Sequence, residues 1–176
     1  MFSRQCFINS KKLLAGIFLF TLSISAKAVD KGEFVLIITI PKKSVVEYHA
    51  PYIATWIEND KRKTVASTSL WYDDQEKWLK DIRRWWRKTG RSQKKPYDGV
   101  TGATRRPGEH QLVLRSEDTS ELLEDGDYVL YIEAAREVGG REVLSLPFSW
   151  PITESTEVSA SGENELGKVT LTISPK

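Results

Sequence analysis

The chain has 176 residues, 28% of them charged, with 26 Lys+Arg against 24 Asp+Glu and a formal net charge of +2. Near balance of charge argues against a nucleic-acid binder or a protein held on an anionic membrane surface, both of which need a basic footprint. Cys6 is the single cysteine, which excludes an internal disulfide framework and a multi-Cys metal site.

In chain order, the first 28 residues read as a secretory signal peptide. Arg4, Lys11 and Lys12 lead, Leu13 to Leu22 is an apolar run short for a bilayer span, and Ala26-Lys27-Ala28 is an A-x-A cleavage site. An uncleaved anchor is the competing reading; Cys6 lacks the surroundings of a lipidation site. Cleavage after Ala28 removes four of the 26 basic residues and no acidic one, so residues 29–176 carry about −2 and no cysteine. An exported, thiol-free chain that no longer spans the membrane after processing is expected in the periplasm. Its length suits a single domain with its own core.

The remainder reads mostly as strands. Glu33 to Ile40 is almost continuously apolar, the pattern of a strand covered on both faces, and Pro41 ends it. Tyr52 to Glu58 is aromatic and β-branched, and Asn59-Asp60 turns the chain toward Thr64 to Trp71. The next segment, DDQEKWLKDIRRWWRKTG, predicts a helix over about 74–88. Asp73 is its expected N-cap, with Glu76 three residues on. Trp78, Leu79, Ile82, Trp85 and Trp86 form its apolar face, and Gly90 its stop. Residues 91–108 then form a long loop. Beyond it, His110 to Arg115 alternates, with Leu112 and Leu114 on one side. Asp127 to Ala135 places Tyr128, Leu130, Ile132 and Ala134 on one face, and Gly139-Gly140 marks a hairpin turn. The return strand gathers Leu144, Leu146, Phe148 and Trp150, with Pro147 pointing to an edge or bulge. Thr156 to Ala160 is a weaker strand, and Val169, Leu171 and Ile173 alternate with threonines in the last. The expected fold is all-β and mainly antiparallel: an immunoglobulin-like β-sandwich with one inserted amphipathic helix.

Loops longer than about 12–15 residues in a compact domain are usually functional or disordered. This one holds Asp98-Gly-Val-Thr-Gly-Ala-Thr104. The pattern Asp-x-x-Thr-Gly-Ala-Thr resembles the flavinylation motif of bacterial FMN-carrying proteins, among them subunits of sodium-pumping quinone reductases and related membrane electron-transfer complexes. The resemblance implies that a periplasmic FMN transferase takes FMN from FAD and joins its phosphate to Thr104. Asp98, Thr101, Gly102 and Ala103 are then the recognition stretch. An acceptor must be a hydroxyl, small neighbours allow close backbone approach, and an exposed loop can enter another enzyme's cleft. The competing reading is a plain glycine turn leading into the next strand. Arg105 and Arg106 follow where familiar acceptor sites continue with small or apolar residues. Their charge suits an anionic phosphodiester, and it can equally hinder the transferase.

The wider chain also resembles a family. EYHAPYIATWIE, SLWYDDQEKWLKDIRRWWRKTGR, DGVTGATRRPGEH, YIEAAREVGGRE, PFSW and a closing Gly-x-x-x-Leu-Gly look like a bacterial periplasmic family, domain-of-unknown-function family 2271. Members of that family occur fused to, or encoded beside, FMN transferases and membrane reductases of the PepSY type. Gly108 to Ala134 also looks like the immunoglobulin-like domain of flagellar hook-capping proteins, an analogy of fold alone.

Other residues carry weaker signals. Trp56, Trp71 and Trp150 lie in strands as packing residues. Trp78, Trp85 and Trp86 precede the loop; Trp85 is the candidate to stack on a flavin, against the plainer reading that all three anchor the helix. Arg83, Arg84, Arg87, Lys88 and Arg91 form a solvated basic face or a steering patch. His49 and His110 lack ligand spacing, so no metal site is expected. Tyr48-His49 is a structural pair or a pocket lining. No G-x-S-x-G elbow or serine with a base appears; Asp73-Asp74 and Glu117-Asp118 read as cap and turn. The expectation is therefore a flavin carrier without turnover of its own, which serves a membrane-bound reductase. The alternative is an unmodified immunoglobulin-like binding or assembly module that uses the Trp/Arg helix and the long loop as its partner surface.

Overall fold

The computed structural model describes residues 32–73, 75–92, 100–114, 119 and 122–175. The signal segment, Asp74, Asp98 and Glu117-Asp118 lie outside these residues. Among the described residues, nine strands form two sheets: β1 (Gly32–Ile40), β2 (Tyr52–Asn59), β3 (Thr64–Trp71), β4 (Thr101–Gly102), β5 (Gly108–Leu114), β6 (Gly126–Ala135), β7 (Arg141–Trp150), β8 (Thr156–Ser161) and β9 (Lys168–Pro175). One sheet has the order β5-β1-β9-β8 and the other β4-β3-β2-β6-β7. All pairings are antiparallel except β3 with β4. This is the expected all-β sandwich, and β4 is the strand that sequence periodicity does not reveal, since two residues carry no period.

The core lies between the sheets. From β1 it takes Phe34, Leu36, Ile38 and Ile40, from β6 Tyr128, Leu130, Ile132 and Ala134, and from β9 Val169, Leu171 and Ile173. Each set has the period of two that places alternate side chains on one face. Phe34 packs at the edge of Phe148 and beside Trp150. Contrary to the sequence expectation, β1 is sealed on one face only, because Val35, Ile37 and Thr39 on the other remain half-exposed. The strand covered on both faces is β2, seven of whose eight residues are buried. Ile53 and Ile57 enter the inter-sheet core, while Tyr52, Ala54 and Trp56 join a second cluster with Leu79, Ile82 and Trp85. A helical segment therefore forms a third layer on the outer face of the five-stranded sheet.

That segment is not the single amphipathic helix that its spacing predicts. Glu76–Asp81 is 3-10, Ile82 breaks the run with ψ 71, Arg83–Trp85 makes one α-turn, and Trp86–Gly90 widens into a π-turn. Two tertiary demands explain the break. Leu79, Ile82 and Trp85 are all completely buried on a twisted sheet, which a straight 3.6-residue stripe does not match. The Glu133 carboxylate of β6 also accepts the Arg84 and Trp85 N–H groups at 3.0 and 2.7 Å, so a distant side chain starts the second turn. Asp73 does not cap a long helix either. Its Oδ1 accepts the Gln75 N–H at 2.8 Å, as in a local Asx turn.

β6 and β7 form the expected hairpin, with Arg136 N–H to Gly140 O at 3.1 Å closing the turn. The residue with positive φ there is Val138 (φ 51), not either glycine. Gly139 and Gly140 serve close approach instead. A Cβ on Gly139 would sit 2.5 Å from the Arg136 guanidinium, and one on Gly140 would sit 2.9 Å from the Glu165 carboxylate. Pro147 lies on β7, an edge strand, as expected of a residue without an N–H.

Candidate functional site

The loop with the Thr-Gly-Ala-Thr stretch is fastened to the sheet. Val100 O accepts the Leu70 N–H at 2.8 Å and Gly102 O accepts the Tyr72 N–H at 2.9 Å. These bonds make β4 a short parallel edge strand on β3. Trp71 is the platform beneath it. A Cβ on Gly102 would lie 3.4 Å from the indole Cδ1, and Arg105 places its guanidinium 5.2 Å from the ring centroid. His110 meets the same ring edge-on at 5.9 Å, and its Nε2 donates to Arg106 O at 2.7 Å. Gly108, at φ 141, then turns the chain into β5, a conformation that favours glycine. Thr101, Ala103, Arg105 and Arg106 are exposed, while Gly102 and Thr104 are half-buried. Among the described residues, the Thr104 hydroxyl has no hydrogen-bond partner.

Thr104 lines a pocket of about 80 Å³ together with His49, Ala50, Tyr52, Asp73, Trp78, Asp81 and the start of the β6–β7 turn. Tyr52 donates its phenol proton to Asp73 Oδ1. Burial, with that hydrogen bond and the carboxylate charge, holds Tyr52 well above the usual phenol range, so it stays a donor. His49 sits between Glu47, 3.1 Å from Nε2, and Glu137, 3.7 Å from Nδ1. The pocket interior thus carries the carboxylates of Asp73, Asp81 and Glu137, and the exposed cations Arg105 and Arg106 lie on the chain next to Thr104. A phosphate on the Thr104 oxygen would be favoured on the arginine side and repelled from the pocket floor.

The pocket adjoins a larger groove of about 480 Å³. The two share Trp78, Asp81, Ala135, Arg136 and Glu137, and the groove continues past Arg83 to Val138, Gly139, Gly140 and Arg141. A volume of about 300–1,000 Å³ is usual for a small-molecule site. The pocket alone is too small for a flavin nucleotide; pocket and groove together are not. The residues present are compatible with FMN at this position: a half-buried hydroxyl, two adjacent guanidiniums, and beside them a groove with the Trp78 indole in its wall.

The sequence-predicted residues divide. Thr101, Gly102, Ala103, Thr104 and Arg105 stand together, whereas Asp98 lies outside the described residues. Trp85 is not among them. It is completely buried against Gly90, whose added Cβ would come within 2.5 Å of the indole, and its Nε1 faces Ser67 Oγ at 3.4 Å. The indole that reaches the pocket is the half-exposed Trp78. Arg84 and Lys88 are occupied as well. They lie 3.5 and 3.3 Å from the buried Glu58 carboxylate, and Arg84 also stacks 3.7 Å over Tyr131. Sequence reasoning missed Tyr52 and Asp73 as neighbours of Thr104. The parity of Tyr52 with Ala54 and Trp56 already placed it on the helix-covered face, but nothing local pairs it with Asp73, 21 residues away.

Among the described residues, no cluster of three or more His, Cys, Asp or Glu side chains is arranged to hold a metal ion, and no helix is long and apolar enough to cross a membrane. Residues 33–168 match the model of a family described as "Predicted periplasmic protein (DUF2271)". No curated protein and no solved structure matches the chain.

Proposed function

This chain belongs to the DUF2271 family of predicted periplasmic proteins, and from that premise we propose that it carries FMN as a phosphoester on Thr104 and passes electrons to or from a membrane-bound reductase. The observation that carries this reading is the placement of the Thr104 hydroxyl: half-exposed, on a loop fixed by β4, in the wall of a small pocket that adjoins a larger groove. In the attachment step the hydroxyl oxygen bonds to the FMN phosphorus of FAD. The pyrophosphate bond breaks, AMP leaves, and the hydroxyl proton is released. The catalytic groups for that step belong to the FMN transferase. Bound flavin supplies the redox chemistry; the chain tethers and orients it. Arg105, exposed and adjacent to Thr104, pairs with the phosphodiester. Tethering suits an exported protein, from which free cofactor would be lost by diffusion. Export would be directed by residues 1–28 and accompanied by cleavage after Ala28.

The test is the intact mass and absorbance of the full chain purified from a host that supplies the transferase. The expected product is yellow and heavier by FMN less one water. Thr104→Ala abolishes both properties and Thr104→Ser keeps them. A Thr104→Ala protein that still gains the mass overturns the reading. An unmodified binding module is the other class of function. Arg84 and Trp85 do not serve to test it, since both act inside the fold; exposed Arg87 and Arg91 are the appropriate positions.

A further inference from the structure

The groove next to the Thr104 pocket runs between the 3-10 turn Glu76–Asp81 and the β6–β7 hairpin. Its side walls differ in chemistry. On one side stand the half-exposed indole of Trp78 and the exposed Arg83. On the other is the hairpin from Val138 to Arg141, where Gly139 and Gly140 present no side chain of their own. Two of the three arginines lining it are already engaged. Arg136 donates to Glu165 at 2.8 and 3.2 Å, and Arg141 donates to Glu133 at 2.9 Å. Among the described residues, Arg83 has no ion-pair partner. Lys77 places its ammonium 4.9 Å from the centroid of the Trp78 ring, but it is an exposed, flexible side chain that a flat ligand displaces.

We infer that the isoalloxazine ring of a flavin tethered at Thr104 lies in this groove against Trp78, with the Arg83 guanidinium at its edge. The inference rests on attachment at Thr104 and adds where the ring goes and which side chains set its properties. The pocket and the groove share Trp78 and Asp81 in their walls, so a ring tethered at Thr104 meets the Trp78 indole between the two. Flat aromatic groups stack favourably on indole. Reduction adds electron density to the ring, so a nearby cation favours the reduced form and raises the potential, while Asp81 and Glu137 oppose it.

The experiment uses the full chain flavinylated in a host with the transferase, and reads intact mass, flavin fluorescence and midpoint potential side by side. An indole stacked on the ring quenches its fluorescence. Trp78→Phe, which keeps an aromatic of similar shape, is expected to raise emission several-fold at unchanged flavin content; Trp78→Ala raises it at least as much. Arg83→Gln shifts the potential to more negative values and leaves the mass gain intact. Full mass gain with unchanged emission in Trp78→Phe overturns the ring placement and leaves attachment standing. Absence of any mass gain in the unsubstituted chain overturns both.

Discussion

Single side chains in this protein do work that their sequence neighbours do not announce. Glu133 lies mid-strand in β6, completely buried, and accepts three hydrogen bonds: from the N–H groups of Arg84 and Trp85, and from Arg141. It joins the helical segment to the sheet and starts the α-turn. Glu133→Ala leaves two backbone donors unmet, at about 1–3 kcal/mol each. Arg141 is partly exposed and regains water, so its loss adds little. The expected result is a destabilisation of about 2–6 kcal/mol, read as a lower urea midpoint with an unchanged slope. Glu58 plays a similar part, buried against Trp56 Nε1 at 2.8 Å while Arg84 and Lys88 approach it. Arg84 and Lys88 look on the sequence like members of a solvated basic face, and the structure sets their partly exposed head groups against this buried carboxylate. Thr104 is the opposite case. The role proposed for it comes from a short motif, and the structure adds that the residue lines a small pocket beside a groove.

At the scale of elements, the helical segment is governed by fit more than by propensity. Its three short pieces allow Leu79, Ile82 and Trp85 to reach the sheet together. Gly90 ends it for a steric reason as well as a conformational one, since the Trp85 ring occupies the space where a Cβ would go. Gly90→Ala forces that ring or the π-turn to move, and overpacking of this kind costs about 1–3 kcal/mol. Thermal unfolding monitored by near-ultraviolet circular dichroism should show a lower Tm and a changed tryptophan band. β4 is an element of the same sort: two residues held by two hydrogen bonds and by the indole of Trp71. Trp71→Ala removes the platform under Gly102 and Arg105. Proteolysis should then cleave near the Arg105-Arg106 bonds faster than in the unsubstituted chain, at the same protease concentration.

At the scale of the whole molecule, the two sheets are joined by their core and, at one end, by a buried ion pair. Arg136 belongs to the β6–β7 turn and Glu165 to the β8–β9 turn, so their two hydrogen bonds connect one sheet's hairpin to the other's. The Gly140 N–H adds a third bond to the same carboxylate, and Glu142 accepts N–H groups of Glu163, Asn164 and Leu166 beside it. Burial alone pushes the Glu165 carboxyl up. The bonds from Arg136 and Gly140, with the charges of Arg136 and Lys43, outweigh it and leave the carboxyl below the ordinary value of 4.5. A carboxyl depressed in the folded state contributes stability that is present above its unfolded value. That contribution is lost as pH falls from about 4.5 through the lower folded value. Stability measured from pH 7 downward should therefore decline in this acid window, and Glu165→Gln should be less stable at neutral pH with a flatter decline.

The sequence by itself determined what local chemistry and periodicity can express. The alternation in β1, β5, β6 and β9 specified an all-β sandwich, because a face of period two has to be buried. Thr101-Gly102-Ala103-Thr104 marked the candidate attachment residue, because a reactive hydroxyl among small residues is a property of adjacent positions. Tertiary structure decided the rest. It alone turned one predicted helix into three turns, since the shape of the sheet beneath sets which residues reach it. It assigned Trp85 to the interior and Trp78 to the groove, since both occupy apolar positions on the same predicted face. It brought Tyr52, Asp73 and His49 to Thr104, since contacts across tens of residues exist only once the sheets have closed.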